Sequence, residues 1–397
     1  MAKRPLGLSK SNQAKRARHE ETPPPQVTLE LAAGEDAASP LVQLRALWRA
    51  YWTSARDTDV LLNGVLNELT VPPAQMSAEQ RAICALALSE LAVFKAGVPA
   101  EDAVPGEDVH ACFERALQVL DSGESEDADP LESLARSKVL FQRVPLEHVS
   151  QLSVQSDEGR LQLALDAQLE GGKAAFRVVT QDLPLSLEVL RSFDDLLDIA
   201  ENFGDPRAAD EGLDSEDEDE ESDEEEETET PQLSQNHPLY PVQQRLGEHY
   251  DWLAARLADL ATAADGSAAA EPQTLREIAR ARGELALRRA QPAVQAFLRQ
   301  TYGEGESKDE AQEEALAGKT AAEQLEAALE LLRAAQDPED PDTWVAVAEA
   351  LIERGNVLRQ GSAEQDKAYA DAEALLERAN VAAHGKYADV LENFREK

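Results

Sequence analysis

Apolar residues in this chain recur at spacings of three and four, and no convincing alternating strand stands out among them. That rhythm restrains the fold more than any other feature, because it lines one side of a helix but scatters over both faces of a strand. Leu41, Leu44, Leu47, Trp48, Tyr51 and Trp52 form one stripe; Leu61, Leu62, Val65, Leu66 and Leu69 form the next. Residues 83–94 are apolar nearly all round, which predicts a buried helix. Further helices are expected at 109–120, 131–143, 158–170, 185–202, 239–263, 273–290, 293–302, 320–335, 342–358 and 365–382. Phe176-Arg177-Val178-Val179-Thr180 is the single short β-like run, and it is expected to join a helix.

Start signals support this reading. Ser39-Pro40, Asp129-Pro130 and Asp337-Pro338 each set a capping side chain before a proline, whose fixed φ and missing N–H suit the first helical position. Ser77-Ala78-Glu79-Gln80 and Thr320-Ala321-Ala322-Glu323 fit the capping box. Many helices joined by short Pro/Gly loops predict an all-α fold, an α-α superhelix of divergent hairpins of the tetratricopeptide (TPR) or HEAT kind. Residues 342–382 make the best single unit: Trp344, Val347, Ala348 and Leu351 share a face, and Ala372, Leu376 and Ala379 answer them across a Gly-containing loop. The unit departs from a regular TPR in having roughly a dozen residues too many between its helices.

Asp214 to Glu229 interrupts the helical pattern with thirteen acids in sixteen residues. Such a block cannot bury apolar area and repels itself, so it is expected as an extended loop. The chain then reads as a disordered tail over 1–38, a helical region over 39–205, an acidic insert over 206–236 and a second, TPR-like helical region over 237–397. The insert serves as a solubilising linker, as a magnet for basic proteins such as histones or ribosomal proteins, or as a regulatory segment. Ser215 and Ser222 each have an acid three residues downstream, so both are candidate phosphorylation sites.

The formal net charge is −40, and −27 without the acidic block, which disfavours contact between the folded body and a phosphate backbone. No apolar run is long enough to span a membrane, and no apolar stretch follows the first basic residues as in a secretory signal. Cys84 and Cys112 read as small core residues, too few for a disulfide framework. No nucleotide-binding or nucleophile motif occurs, and His110-x-Cys112 would point to different helix faces. No catalytic residue, metal or cofactor is therefore expected. Trp48, Tyr51 and Trp52, like Trp252 and Trp344, are expected mainly as core, with an interface as the competing role.

Against the acidity, the first nineteen residues hold six Lys/Arg and no acid. Lys3-Arg4, ten intervening residues and Lys15-Arg16-Ala17-Arg18 have the spacing of a two-part nuclear-import signal. Lys3, Arg4, Lys15, Arg16 and Arg18 are thus the expected contacts to an import receptor.

The opening Met1-Ala2-Lys3-Arg4-Pro5-Leu6-Gly7-Leu8-Ser9-Lys10 resembles the start of the fungal enhancer-of-translation-termination family, with Ser9 in place of an expected glycine. The basic head, Pro-rich stretch, helical pairs and acidic insert repeat that family's organisation. The resemblance implies a nuclear, non-enzymatic adaptor. It would bind a 2-oxoglutarate-dependent prolyl hydroxylase, act in translation termination and oxygen-responsive gene regulation, and meet termination or ribosome-associated factors. The competing function is an acidic chaperone for histones or ribosomal proteins, working through residues 214–229.

Overall fold

The computed structural model describes residues 36, 39–98, 104, 106–123, 129–157, 163–205, 233–267, 270–302 and 310–396. Among them are fourteen α-helices and no strand, as the periodicity requires. They are α1 (Pro40–Thr53), α2 (Val60–Glu68), α3 (Ala78–Ala96), α4 (Val109–Asp121), α5 (Pro130–Arg143), α6 (Leu165–Ala175) and α7 (Leu183–Glu201). After the acidic stretch come α8 (Tyr240–Gln244), α9 (Leu246–Asp265), α10 (Pro272–Tyr302), α11 (Glu310–Ala334), α12 (Pro341–Asn356), α13 (Ala363–Ala382) and α14 (Ala388–Glu396).

Most start signals act where expected. Ser77 and Gln80 form a complete capping box, Gln80 N donating to Ser77 Oγ at 3.2 Å and Ser77 N to Gln80 Oε1 at 2.9 Å. Asp129 Oδ1 accepts from Leu131 N at 2.8 Å ahead of Pro130. Two signals mislead. Asp337-Pro338 lies in a turn, and α12 starts three residues later at Asp340-Pro341. Asp337 instead folds the chain back: its Oδ1 accepts from Glu339 N at 3.0 Å, and its carbonyl from Trp344 Nε1 at 2.8 Å. Thr320 starts nothing, because the helix formers of 310–319 extend α11 back to Glu310.

Boundaries shift for physical reasons. The helices expected at 273–290 and 293–302 are one, α10, with Pro292 inside. Ala290 and Val294 flank that proline and are buried in the core, and this packing outweighs the one hydrogen bond proline cannot donate. The helix expected at 239–263 is interrupted at Arg245. Residues 176–182 form neither strand nor helix; Phe176 and Val179 plug the core from a coil.

The chain divides into two compact units. The N-terminal unit holds the described residues up to Val179 together with those of Ser192–Leu246; the C-terminal unit holds Thr180–Arg191 and the described residues from Gly247 onward. Residues on both sides of the acidic stretch therefore lie in one unit, and the break in composition and the break in packing fall at different places.

In the N-terminal unit, α3 is buried over Arg81–Ala92 and packs on α4 and α5, while α5 also packs on α6. Phe141 and Phe193 meet with ring centroids 4.5 Å apart. A Cβ on Gly172 would stand 2.5 Å from the Phe141 ring, so α6 approaches α5 only through glycine.

The C-terminal unit is built from antiparallel hairpins. In α10–α11, Gly283 faces Leu332 and Gly318 faces Phe297; in α12–α13, Gly355 faces Tyr369 and Trp344 faces Arg378. One apolar cluster joins them, including Leu325, Leu329, Leu332, Val347 and Leu351, with Ala372, Leu376 and Ala379 packed opposite as the TPR-like pattern predicts. Arg276 reaches Asp337 at 3.0 Å and Arg280 reaches Asp340 at 3.7 Å, tying α10 to the turn before α12.

Candidate protein-docking surface

Lys3, Arg4, Lys15, Arg16 and Arg18 lie outside the described residues, as do Ser215, Ser222 and the whole tract 214–229. What the structure positions is the helical body. His110 and Cys112 do not form a metal pair: His110 Nδ1 lies 2.8 Å from Glu147 Oε1, and Cys112 is buried. No group of three or more His, Cys, Asp or Glu residues arranged to hold a metal occurs among the described residues. Burial pushes the Cys84 thiol up to about 11, leaving it inert as a nucleophile at neutral pH.

Beneath α1 sits a buried polar centre. Lys138 of α5 is fully buried and places Nζ 2.9 Å from Glu90 Oε1. Tyr51 OH donates to Glu90 Oε2 at 2.8 Å, Gln142 Nε2 to Glu90 Oε1 at 3.3 Å, and Ser89 Oγ to Gln142 Oε1 at 2.5 Å. Three helices thus share one carboxylate. A buried charge survives only when paired and hydrogen-bonded, so this set fixes the register of α1, α3 and α5. A second buried pair, Arg81–Glu132 at 2.5 Å, pins the start of α3 to α5.

The outer side of α1 is different. Tyr51 is core, as expected, but Trp48 and Trp52 are only half-buried. Their rings lie 5.5 Å apart. Arg56 turns back from the helix end in a left-handed conformation (φ 53°) and sets its guanidinium 4.0 Å from the Trp52 ring centre. The half-buried Trp252 also departs from the core expectation, whereas Trp344 is core and Arg378 covers its ring at 3.9 Å.

After α5 the chain tightens into a π turn over Val144–His148, where Pro145 has no N–H to continue the α ladder. The turn carries Glu147 to Arg143 (2.8 Å) and His110. Burial raises the Glu147 carboxyl, but hydrogen bonds from Arg143 and His110, with the charge of Arg143, outweigh it and hold the pKa below the usual range. Burial lowers the pKa of His148, which lies 3.0 Å from Gln168 Nε2.

The described residues that flank the stretch 206–232 meet one another. Phe203 before it and His237 after it stack at 5.3 Å, and Gln243 Nε2 donates to Ala200 O at 2.8 Å. His237 Nδ1 accepts from Leu239 N at 3.2 Å, leaving Nε2 to donate to Ser153 O at 3.1 Å. Both nitrogens are used by the neutral ring, and burial lowers its pKa. No sequence motif marks His237; its role shows only when residues 153 and 237 are brought together.

In the C-terminal unit, Asp342 at the start of α12 accepts from Tyr387 OH and from Lys386 Nζ, the latter at 2.9 Å. These bonds hold its pKa below the carboxylate norm and dock the α13–α14 turn onto α12. Burial raises the Glu353 pKa, against hydrogen bonds from Gln291 Nε2 at 2.9 Å.

A family model described as "Nuclear pore complex subunit Nro1" matches residues 1–395. The chain is 38% identical to Enhancer of translation termination 1 of Saccharomyces cerevisiae (strain ATCC 204508 / S288c), with 99% of each chain covered. It is also 38% identical to the protein of that name in Vanderwaltozyma polyspora, with 100% of both covered, and to that in Eremothecium gossypii, with 99% of this chain and 98% of the relative covered. The solved structure of the S. pombe nuclear import adaptor Nro1 shares the fold at a TM-score of 0.52 and 12% identity, over 93% of this chain and 99% of that one.

Proposed function

The chain belongs to the family described as nuclear pore complex subunit Nro1, and from that premise we propose that it is a non-enzymatic nuclear adaptor that carries a partner protein to the import machinery. The observation that carries this reading is the extent of the match, residues 1–395, which takes in the basic head and both helical units. The mechanism is stoichiometric. The helical body holds the partner, while Lys3, Arg4, Lys15, Arg16 and Arg18 engage an import receptor. The partner class is a 2-oxoglutarate-dependent prolyl hydroxylase, and the downstream roles are correct translation termination and oxygen-responsive gene regulation. The name of the 38% identical relatives supports the first of these roles.

Two measurements test it. Replacing Lys15, Arg16 and Arg18 with alanine shifts a fluorescent fusion toward the cytoplasm; unchanged nuclear accumulation removes the head as import signal. Tagged full-length protein enriches an oxygenase or a translation factor over a mock purification; enrichment of neither removes the adaptor role. The thirteen acids of 214–229 favour a second reading, a chaperone for basic proteins. Deleting the tract separates the two, since an adaptor keeps its main partner and a chaperone loses histones or ribosomal proteins, most visibly at low salt.

A further inference from the structure

Among the described residues, α1 is the one helix that carries cations and no acid. Arg45, Arg49, Trp52 and Arg56 follow at spacings of four, three and four, so with Trp48 they line one face. Arg45 is engaged by Glu79 at 2.5 Å. Arg49 is exposed, and no described residue pairs with its guanidinium. Neither indole N–H, of Trp48 or of Trp52, finds an acceptor among the described residues. Arg56 lies on the Trp52 ring, and Lys138 approaches the same ring to 5.8 Å.

The ridge therefore shows the outside an inventory of one kind. Apart from Arg45, whose charge Glu79 meets, Trp48, Arg49 and Trp52 offer only donors, one guanidinium and two indole N–H groups, together with two indole faces. A donor-only surface recognises acceptors, a cationic one recognises anions, and half-buried indoles favour aliphatic or aromatic side chains. The ligand meeting all three demands is an extended peptide bearing carboxylates and aliphatic groups. A nucleic acid offers anionic acceptors and stacking bases as well. Its charge, however, extends beyond any contact site and meets a chain of net charge −40, whereas a short peptide senses mainly the local field.

We propose that the α1 ridge of Trp48, Arg49 and Trp52 is a docking surface for an acidic, aliphatic-bearing segment of a partner protein. The proposal rests on the adaptor reading in taking the occupant to be a protein. The test is fluorescence anisotropy with the full-length chain and a fluorescein-labelled peptide of Asp, Glu, Leu and Gly. The control peptide has every acid replaced by its amide. Binding of the acidic peptide is saturable, and both the amide peptide and the Arg49→Glu variant bind about tenfold more weakly. Arg49 is exposed, so the variant keeps its helical signal and melting temperature; Trp52→Ala, judged on the same two controls, weakens binding similarly. Equal binding of the amide peptide, no effect of Arg49→Glu, or tighter Arg49-dependent binding of an oligo-dT probe overturns the proposal. Peptide binding that fails while tagged protein still enriches its partners removes the ridge alone; lost partners with peptide binding intact remove the adaptor reading alone.

Discussion

Buried charge sets the register of α1, α3 and α5 in the N-terminal unit, where one glycine notch, Gly172 against Phe141, lets α6 approach α5; the hairpins of the C-terminal unit are set by such notches throughout. In the first, Glu90 and Lys138 sit in the core with Tyr51, and Arg81 with Glu132. In the second, Gly283, Gly318 and Gly355 open notches for Leu332, Phe297 and Tyr369 in an apolar, Ala-rich cluster. The two devices fail differently. A buried ion pair contributes little net stability when intact, but it is costly to break because the remaining charge is stranded. A notch has no charge to strand; filling it forces neighbours off their rotamers by an amount set by local slack. The first device enforces one pairing of helices, while the second sets how closely two helices approach.

The largest effect that would break this contrast is expected at Lys138. Lys138→Ala should cost about 3–5 kcal/mol, with hydrogen exchange accelerated in α1, α3 and α5. Replacing Lys138 and Glu90 together by apolar residues of similar volume should recover most of the loss. A double variant no better than the single one would show that the pair stabilises more than it specifies. Next, Gly283→Ala sets a Cβ 2.7 Å from Leu332 Cγ and should cost about 1–3 kcal/mol. Its exchange signature should be confined to α10 and α11; an effect spread over α3 and α5 would mean that the two cores are not energetically separate.

A smaller effect sharpens the comparison through pH. His237 and His148, both in the N-terminal unit, have pKa values lowered by burial. Their folded forms are neutral, so the unfolded chain binds protons more readily. Stability is fully present above the ordinary histidine value of about 6.5 and is lost as pH falls below it. Melting followed from pH 7.5 to 5.5 should show the N-terminal unit weakening first, and His237→Ala should flatten the slope while lowering the plateau. The smallest effect is expected from replacing 206–232 with a short Gly/Ser bridge, a change within about 0.5 kcal/mol, because both flanks are already pinned by Phe203–His237 and Gln243.

The sequence made the helices legible because an apolar stripe is a local property. It showed the α12–α13 face residue by residue, from Trp344 to Ala379. It misplaced starts where two signals competed, as with Asp337-Pro338 beside Asp340-Pro341, and it split α10 at Pro292, where tertiary packing overrides the local penalty. Lys138 gave no warning, since a lysine between helical neighbours reads as solvent-facing until Glu90 is brought to it from about fifty positions away. The docking ridge was half legible. The aromatic spacing of Trp48 and Trp52 was plain, but their exposure, and the lack of a partner for Arg49 among the described residues, depend on which neighbours fold against α1.

The ring contact between Phe203 and His237 has a last consequence. Because the chain on either side of 206–232 is gripped from within the same unit, covalent continuity through that stretch is dispensable for holding the unit together. A protease that cuts there should produce two fragments that still elute as one particle. Length change, charge change or cleavage in the acidic stretch can therefore accumulate without cost to the body that displays it.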